Sequence, residues 1–376
     1  MQTLYINVIS IKILFILVMV GCFKFKVITR KIHLKALVLE SKNKLVYKDV
    51  SDPYINSDEV LIEIKACAIC GSDVHGMDGS TGRRIPPVIM GHEASGIIVK
   101  TGKNVLKWKV GDRVTFDSTI YPLDDWYTKK GFYNLSDNRK VIGVSCVDYK
   151  KDGAMAEYLA IPHHILHRIP DSVSFNQAAL VEPLSVALHA INLNPVNKND
   201  TAVVIGAGVI GLFIIQILKY KQVSQIIAID QQTNRLTLSK ELGAKVVLNT
   251  KENNILSEIS KLTKGRGADM AYEAVGLEST VRLAVDSVRK GGTVTLIGNI
   301  APEIQLPLQK IVTKQIKIQG SCAICGEYPE ALTLIEQGTI NPDRLISVTA
   351  QLSEGAHWFQ KLYNKEPQLL KVILNP

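Results

Sequence analysis

The stretch from Thr201 to Gly298 most constrains what this chain can fold into. Five short apolar runs stand there in order: TAVVIGAG, QIIAID, AKVVLN, ADMAYEAVG and GGTVTLIGN. Helix-like stretches separate them, among them residues 209–221 and 234–242. Strands of that kind, alternating with helices, define a parallel sheet covered on both sides. The segment IKIQGS at 316–321 adds a sixth strand, and residues 328–337 read as a helix that stops at Gly338.

The first run ends in Gly206-Ala207-Gly208-Val209-Ile210-Gly211. Alone, such a glycine turn can exist without a ligand. Here a strand precedes it, a helix follows, and the next strand ends in Asp230, 19 residues beyond Gly211. That context points to dinucleotide binding. Gly206 permits the tight turn, Gly208 lets backbone approach a pyrophosphate, and Gly211 lets helix and strand pack closely. The amides and positive partial charge of the helix start face the phosphates. Asp230 is placed to accept the adenosine ribose hydroxyls and to repel a 2′-phosphate, which favours NAD over NADP. Arg235 argues the other way if it binds that phosphate; with Asp230 present, it is read as packing on the adenine or ribose edge. The ends of the fourth and fifth runs, Val275-Gly276 and Ile297-Gly298, complete the cofactor-facing set.

Residues 34–40 and 59–66 read as strands, and Gly and Pro punctuate the chain to about residue 170, which marks a β-rich region. Cys70-Gly71-Ser72-Asp73-Val74-His75 lies there, followed by Gly91-His92-Glu93 and, further on, Glu182-Pro183. Thiolate, imidazole and carboxylate are all zinc ligands, and three of them with one open position is the plan of a catalytic site. Each residue alone has an ordinary reading, the cysteine as core and the histidine as a satisfied polar group.

Gly91-His92-Glu93-x2-Gly96-x5-Gly102-x2-Val105, taken with Cys70-Gly71-Ser72-Asp73, Glu182-Pro183-Leu184 and the glycine turn, resembles the zinc-containing alcohol dehydrogenases of the medium-chain dehydrogenase/reductase superfamily. The likeness runs from 34 to 376 and is nearest to the polyol branch, with its sorbitol-, galactitol-phosphate- and butanediol-type enzymes. It implies an α/β chain with a split GroES-like β-rich catalytic domain, residues 34–185 and 320–376, around a doubly wound Rossmann NAD-binding domain, residues 186–319. By the same resemblance Cys70, His92 and Glu93 are zinc ligands, and Glu182 either ligates the metal or holds its water. Asp73 orients the His92 imidazole. Ser72 and His75 form a proton relay from the substrate hydroxyl toward solvent. Zinc then acidifies the alcohol and the carbinol hydride passes to the nicotinamide. The implied partner is a small alcohol or polyol, in a cytoplasmic homodimer or homotetramer. A threonine- or butanediol-type dehydrogenase on the same scaffold, and a non-catalytic NAD- or metal-binding protein, are the alternative readings.

The sequence departs from the family twice. Many relatives bind a structural zinc through four cysteines after the GDRV segment. Here the aligned positions are Pro122, Asp125, Thr128 and Ser136, so one catalytic zinc and no structural zinc is expected, with Asp124, Asp125 and Trp126 holding the lobe instead. Sorbitol-type enzymes also place an aromatic after the relay histidine and an arginine in the loop after the sixth strand. Here those positions are Gly76 and Ala323, which reads as an opened pocket suited to a bulkier or cyclic polyol or a sugar derivative.

Composition bounds the remaining classes. The 376 residues suit about two domains, and 46% hydrophobic with 21% charged residues is a globular balance. Of the net charge of +9, five charges (Lys12, Lys24, Lys26, Arg30, Lys31) lie in the acid-free first 33 residues, leaving four for the other 343. That distribution speaks against a nucleic-acid surface. The apolar run 13–23 is eleven residues long, too short to span about 30 Å of hydrocarbon. It has the length of a signal-peptide core, and Val20-Gly21-Cys22 distantly resembles a lipoprotein cleavage site. The reading adopted is that residues 1–33 are a non-native or disordered extension, with translation starting at position 34 and no membrane partner. Cys67 and Cys146 read as structural, Cys322 and Cys325 as small residues near the nicotinamide, and His189 as a hydrogen-bonded structural residue. His163, His164 and His167 read as a solvated edge, and Lys310, Lys314 and Lys317 as a solvated face.

Overall fold

The computed structural model describes residues 34–146 and 149–376. The reading of residues 1–33 as an extension falls outside them. Strand Glu59–Ala68 organises the first part of the chain. Its residues alternate, with Val60, Ile62 and Ile64 buried, as a strand with one face on a core requires. It pairs antiparallel with Glu93–Thr101 and with Tyr158–Pro162. Its last residues pair with the C-terminal strand Lys371–Asn375, Cys67 opposite Leu374 and Ala68 opposite Ile373. Strands Arg113–Phe116, Leu166–Arg168 and Ile346–Gln351 complete a seven-stranded sheet. The chain's end is thereby brought next to Cys70.

The second sheet holds all six strands expected from the apolar runs. Their order is Val246–Asn249, Gln225–Asp230, Thr201–Ile205, Ala268–Glu273, Val288–Leu296 and Lys317–Gly320, every pairing parallel. Sequence order reverses on either side of Thr201–Ile205, so successive crossovers leave in opposite directions and a crevice opens beyond its carboxyl end. Helices Val209–Tyr220 and Thr233–Leu242 lie within two residues of the expected bounds, and Tyr328–Glu336 ends before Gly338, whose φ is +67°. Ile255–Leu262, Glu278–Ser287 and Leu308–Thr313 lie in the remaining crossovers.

Glycine is required at two points of the turn after Ile205. Gly206 has φ +94°, and a Cβ on Gly211 would sit 1.9 Å from the Gly206 carbonyl oxygen. Helix Val181–Asn192 is buried along nearly its whole length and packs on Val209–Tyr220 and Tyr328–Glu336. It joins the two sheets through one apolar core that includes Leu184, Leu188, Phe213 and Tyr328. Among the described residues no helix is long and apolar enough to cross a membrane.

Candidate active site

Cys70 stands at the N-cap of a short helix, Gly71–Gly76, which carries the next four residues of interest. Asp73 and Gly76 point inward and are buried, while Ser72 is exposed and His75 half-buried. The Ser72 hydroxyl donates to the Cys70 thiol at 3.3 Å. His92 and Glu93 arrive from the start of strand Glu93–Thr101. The bend ahead of them needs Gly91, whose φ is +96° and whose Cβ would lie 2.7 Å from the buried Cys67 thiol. Cys67 is thus core, as expected.

One donor atom each from Cys70, His92 and Glu93 falls within 4.8 Å of the others. The chemistry of this set fits zinc. A thiol, an imidazole and a carboxylate converge where burial and the Glu93 charge push the Cys70 thiol far up, and a bound cation would reverse that penalty. Glu182 is buried in the first turn of its helix and accepts from the Ser118 hydroxyl at 2.9 Å. Burial raises its carboxyl to about 7, with Glu93 adding to the rise, while His92 and Ser118 pull the other way.

Three neighbours of the site escaped sequence reasoning. Lys371 is buried with Nζ 2.7 and 3.0 Å from the two Glu93 oxygens and 3.1 Å from the Ile69 carbonyl oxygen. Burial works against its charge, but Glu93 and Cys70 prevail and hold its pKa up. Ser118 holds Glu182 as described. Arg84 is buried against Asp73, with Nη2 at 2.6 Å and Nε at 3.2 Å from Oδ1. No local pattern announces any of them, since each reaches its partner only through the tertiary fold.

Arg84 corrects the reading of Gly76. A Cβ there would lie 2.5 Å from the Arg84 Cγ, so the room left by the missing side chain at Gly76 is filled by the arginine stem.

The dinucleotide turn and the metal cluster open into one cleft of about 780 Å³. Cys70, Ser72, His75 and Glu93 line one wall, and Gly206, Gly208, Val209 and Ile210 the other. Asp230, Arg235, Val275, Ile297 and Gly298 also line it, whereas Gly211 and Gly276 do not. A Cβ on Gly276 would meet the Asn299 amide at 2.3 Å, so packing explains that glycine. At Gly208 an added Cβ would meet nothing within 4 Å, which leaves room for a ligand. Asp230 is pinned by the amides of Ala207, Gln231 and Gln232 at 2.7–2.9 Å, and the Arg235 Nε is buried with no partner.

Other expectations shift. The loop with Cys322 and Cys325 packs on segment 131–134: Asn134 donates to the Cys322 carbonyl at 2.8 Å, and the Cys325 thiol donates to the Gly131 carbonyl at 3.0 Å. Neither cysteine lines the shared cleft. The three histidines do not converge on a metal. His164 meets Tyr121 edge-on and His167 stacks on Tyr328, both half-buried rather than solvated, because aromatic neighbours cover them. Lys310 pairs with Asp286 and Lys317 donates to Asn194 at 2.7 Å, and both lysines stay exposed. His189 bonds Glu327 at 2.8 Å, the structural role expected.

A metal cluster and a dinucleotide crevice sharing one cleft define a metal-dependent dehydrogenase. Two family models match, an alcohol dehydrogenase GroES-like domain over residues 56–171 and a zinc-binding dehydrogenase over residues 209–337. D-arabitol-phosphate dehydrogenase of Enterococcus avium is 33% identical over 339 residues, 89% of this chain and 95% of the relative. Sorbitol dehydrogenase of Bacillus subtilis is 31% identical over 348 residues, 92% and 98% of the two chains. The crystal structure of an alcohol dehydrogenase from Escherichia coli CFT073, complexed with NADH, superposes with a TM-score of 0.85 at 27% identity, over 92% and 99% of the chains. The chain belongs to the zinc-containing alcohol dehydrogenase family of the medium-chain superfamily. It is an oxidoreductase with a GroES-like domain and a Rossmann domain, and its cofactors are a catalytic zinc and NAD.

Proposed function

We propose that the protein oxidises a secondary alcohol of a polyol or sugar-derived substrate with NAD as hydride acceptor. The observation that carries this is the opening of Cys70, Ser72, His75 and Glu93 into the same cleft as Gly206, Gly208 and Asp230. Cys70, His92 and Glu93 would hold the zinc. Held there, a zinc would supply Lewis acidity to the substrate hydroxyl and NAD would supply the hydride acceptor. Glu182, steadied by Ser118, orients water or substrate beside the metal. Ser72 and His75, both on the cleft wall, take up the hydroxyl proton and pass it outward. Asp230 and Arg235 hold the adenosine end. The polyol names of the two curated relatives support the substrate class. The same reading places the domain boundaries near residues 186 and 319 and makes the enzyme a cytoplasmic homodimer or homotetramer.

The test follows NAD reduction by the protein over inositols, linear polyols, sugar phosphates, sugar acids, threonine and 2,3-butanediol, with Cys70→Ser beside it. Turnover on a polyol or sugar derivative that the substitution abolishes is the expected result. Turnover confined to threonine or 2,3-butanediol would replace the substrate class. Turnover unchanged in Cys70→Ser would refute the metal site.

A further inference from the structure

We propose that Arg84 is a positioning residue for the metal site, acting through Asp73 on His92. The inference rests on the reading that Cys70, His92 and Glu93 hold zinc. Arg84 and Asp73 form an ion pair whose side chains are 2% and 0% exposed. The guanidinium takes Asp73 from one side only: Nη2 and Nε both reach Oδ1, at 2.6 and 3.2 Å. Its Nη1 donates to the Arg83 carbonyl at 3.1 Å, which fixes the plane of the fork. The second carboxylate oxygen, Oδ2, is left facing the His92 Nδ1 at 3.6 Å, and neither atom has another hydrogen-bond partner.

That separation is longer than a hydrogen bond. The two atoms nevertheless form a buried donor and acceptor with only each other to satisfy them, and a buried polar atom left unpaired is costly. An imidazole held through Nδ1 presents Nε2 to the opposite side, and this outer partner fixes both the tautomer and the ring angle of a metal ligand. Arg84 does two things in this arrangement. It compensates a carboxylate that would otherwise be buried alone, and it decides which oxygen is offered to the histidine. A lysine could do the first but not the second, because an ammonium is a point charge without a rigid fork.

Gly76 is an independent observation for the same device. It lies on the relay helix, within a residue of His75, and a Cβ there would meet the Arg84 Cγ at 2.5 Å. The backbone at Gly76 is ordinary helix, so a side chain is excluded by the arginine stem and not by conformation. The place directly after the relay histidine is thus given to the residue that sets Asp73.

The test reads zinc retention in the full chain, apart from turnover. Zinc release into a chromophoric chelator is timed for the parent, Arg84→Lys and Gly76→Ala, with circular dichroism to establish folding. Arg84→Lys keeps the charge and loses the fork. Gly76→Ala keeps every charge and moves the stem. Release faster by roughly tenfold or more is expected in both, the usual scale for the outer partner of a metal-bound histidine. Release within about twofold of the parent in folded Arg84→Lys overturns the proposal. Should that variant not fold, parental release in Gly76→Ala overturns it instead. A parent that takes up no zinc would defeat the metal-site reading itself, a result distinct from a zinc-bound parent whose variants release at its own rate.

Discussion

At the scale of single residues, the site is a balance of charges that only the fold assembles. Glu93 is paired with Lys371, and on the proposed reading it serves the metal as well. A carboxylate has about four lone-pair positions, so both can be accommodated. Removing one partner from a buried ion pair leaves an uncompensated charge and costs about 3–5 kcal/mol. Lys371→Met is therefore expected to destabilise the zinc-stripped protein on that scale and the zinc-loaded protein less, because the metal supplies part of the missing compensation. Urea unfolding with and without zinc measures both, and equal losses would show that Glu93 does not share its charge with the metal. The proposed ligand residues could be picked out as candidates because Cys70, His92 and Glu93 sit in short local motifs, and the fold brings their donor atoms within 4.8 Å of one another. Lys371, 278 residues from Glu93, carries no local mark.

At the scale of elements, the lobe after strand Arg113–Phe116 is tied together by hydrogen bonds around Asp125. Three of the four positions where relatives carry cysteines are joined here by hydrogen bonds. Asp125 accepts the Thr128 amide at 2.9 Å, the Thr128 hydroxyl at 3.2 Å and the Ser136 hydroxyl, and it caps helix Trp126–Lys129. The expectation that Asp125 holds the lobe follows from this geometry. Asp124 and Trp126 make no comparable bond, and Trp126 is 66% exposed. Loss of a helix cap costs about 0.5–2 kcal/mol. Asp125→Ala should speed amide exchange across residues 126–136 by roughly tenfold, while the zinc content stays at one per chain. A content near two would show that the lobe binds metal after all. Strand Leu166–Arg168 offers a pH test. His167 is half-buried and stacked on Tyr328, and loss of solvent lowers its pKa to about 4 from an ordinary value of 6.5. The folded state thus favours the neutral ring. Its stability is intact above pH 6.5 and falls as pH drops toward 4, by about 2–3 kcal/mol over that window. His167→Phe should flatten this part of the stability–pH curve; an unchanged slope would place the titration elsewhere.

At the scale of the whole molecule, the parallel sheet was the most legible part, because short apolar runs alternate there with helix-like stretches and parallel strands are joined by right-handed crossovers. The seven-stranded sheet was less so. Its strands come from both ends of the described chain, and the pairing of Lys371–Asn375 with Glu59–Ala68 depends on closing a very long loop. The reading of Gly76 as an opening failed for a similar reason, since a glycine in sequence does not say which distant side chain fills its place. The two sheets meet in the cleft, so cofactor choice becomes a property of the whole fold. Asp230 ends a strand of one sheet with both carboxylate oxygens fixed by three backbone amides. It cannot swing away from an incoming group without losing those bonds. Ribose hydroxyls can donate to its remaining lone pairs, whereas a 2′-phosphate brings like charge against it, which Arg235 in the same cleft offsets in part. A ligand that binds the folded state at about 100 times its Kd stabilises by roughly 2.7 kcal/mol. Saturating NAD is therefore expected to raise the thermal midpoint by several degrees and NADP by clearly less, and Asp230→Ser should narrow the gap. Equal midpoints with the two cofactors in the parent protein would mean that Arg235 outweighs Asp230 and that the acid at the end of the second strand does not select the cofactor.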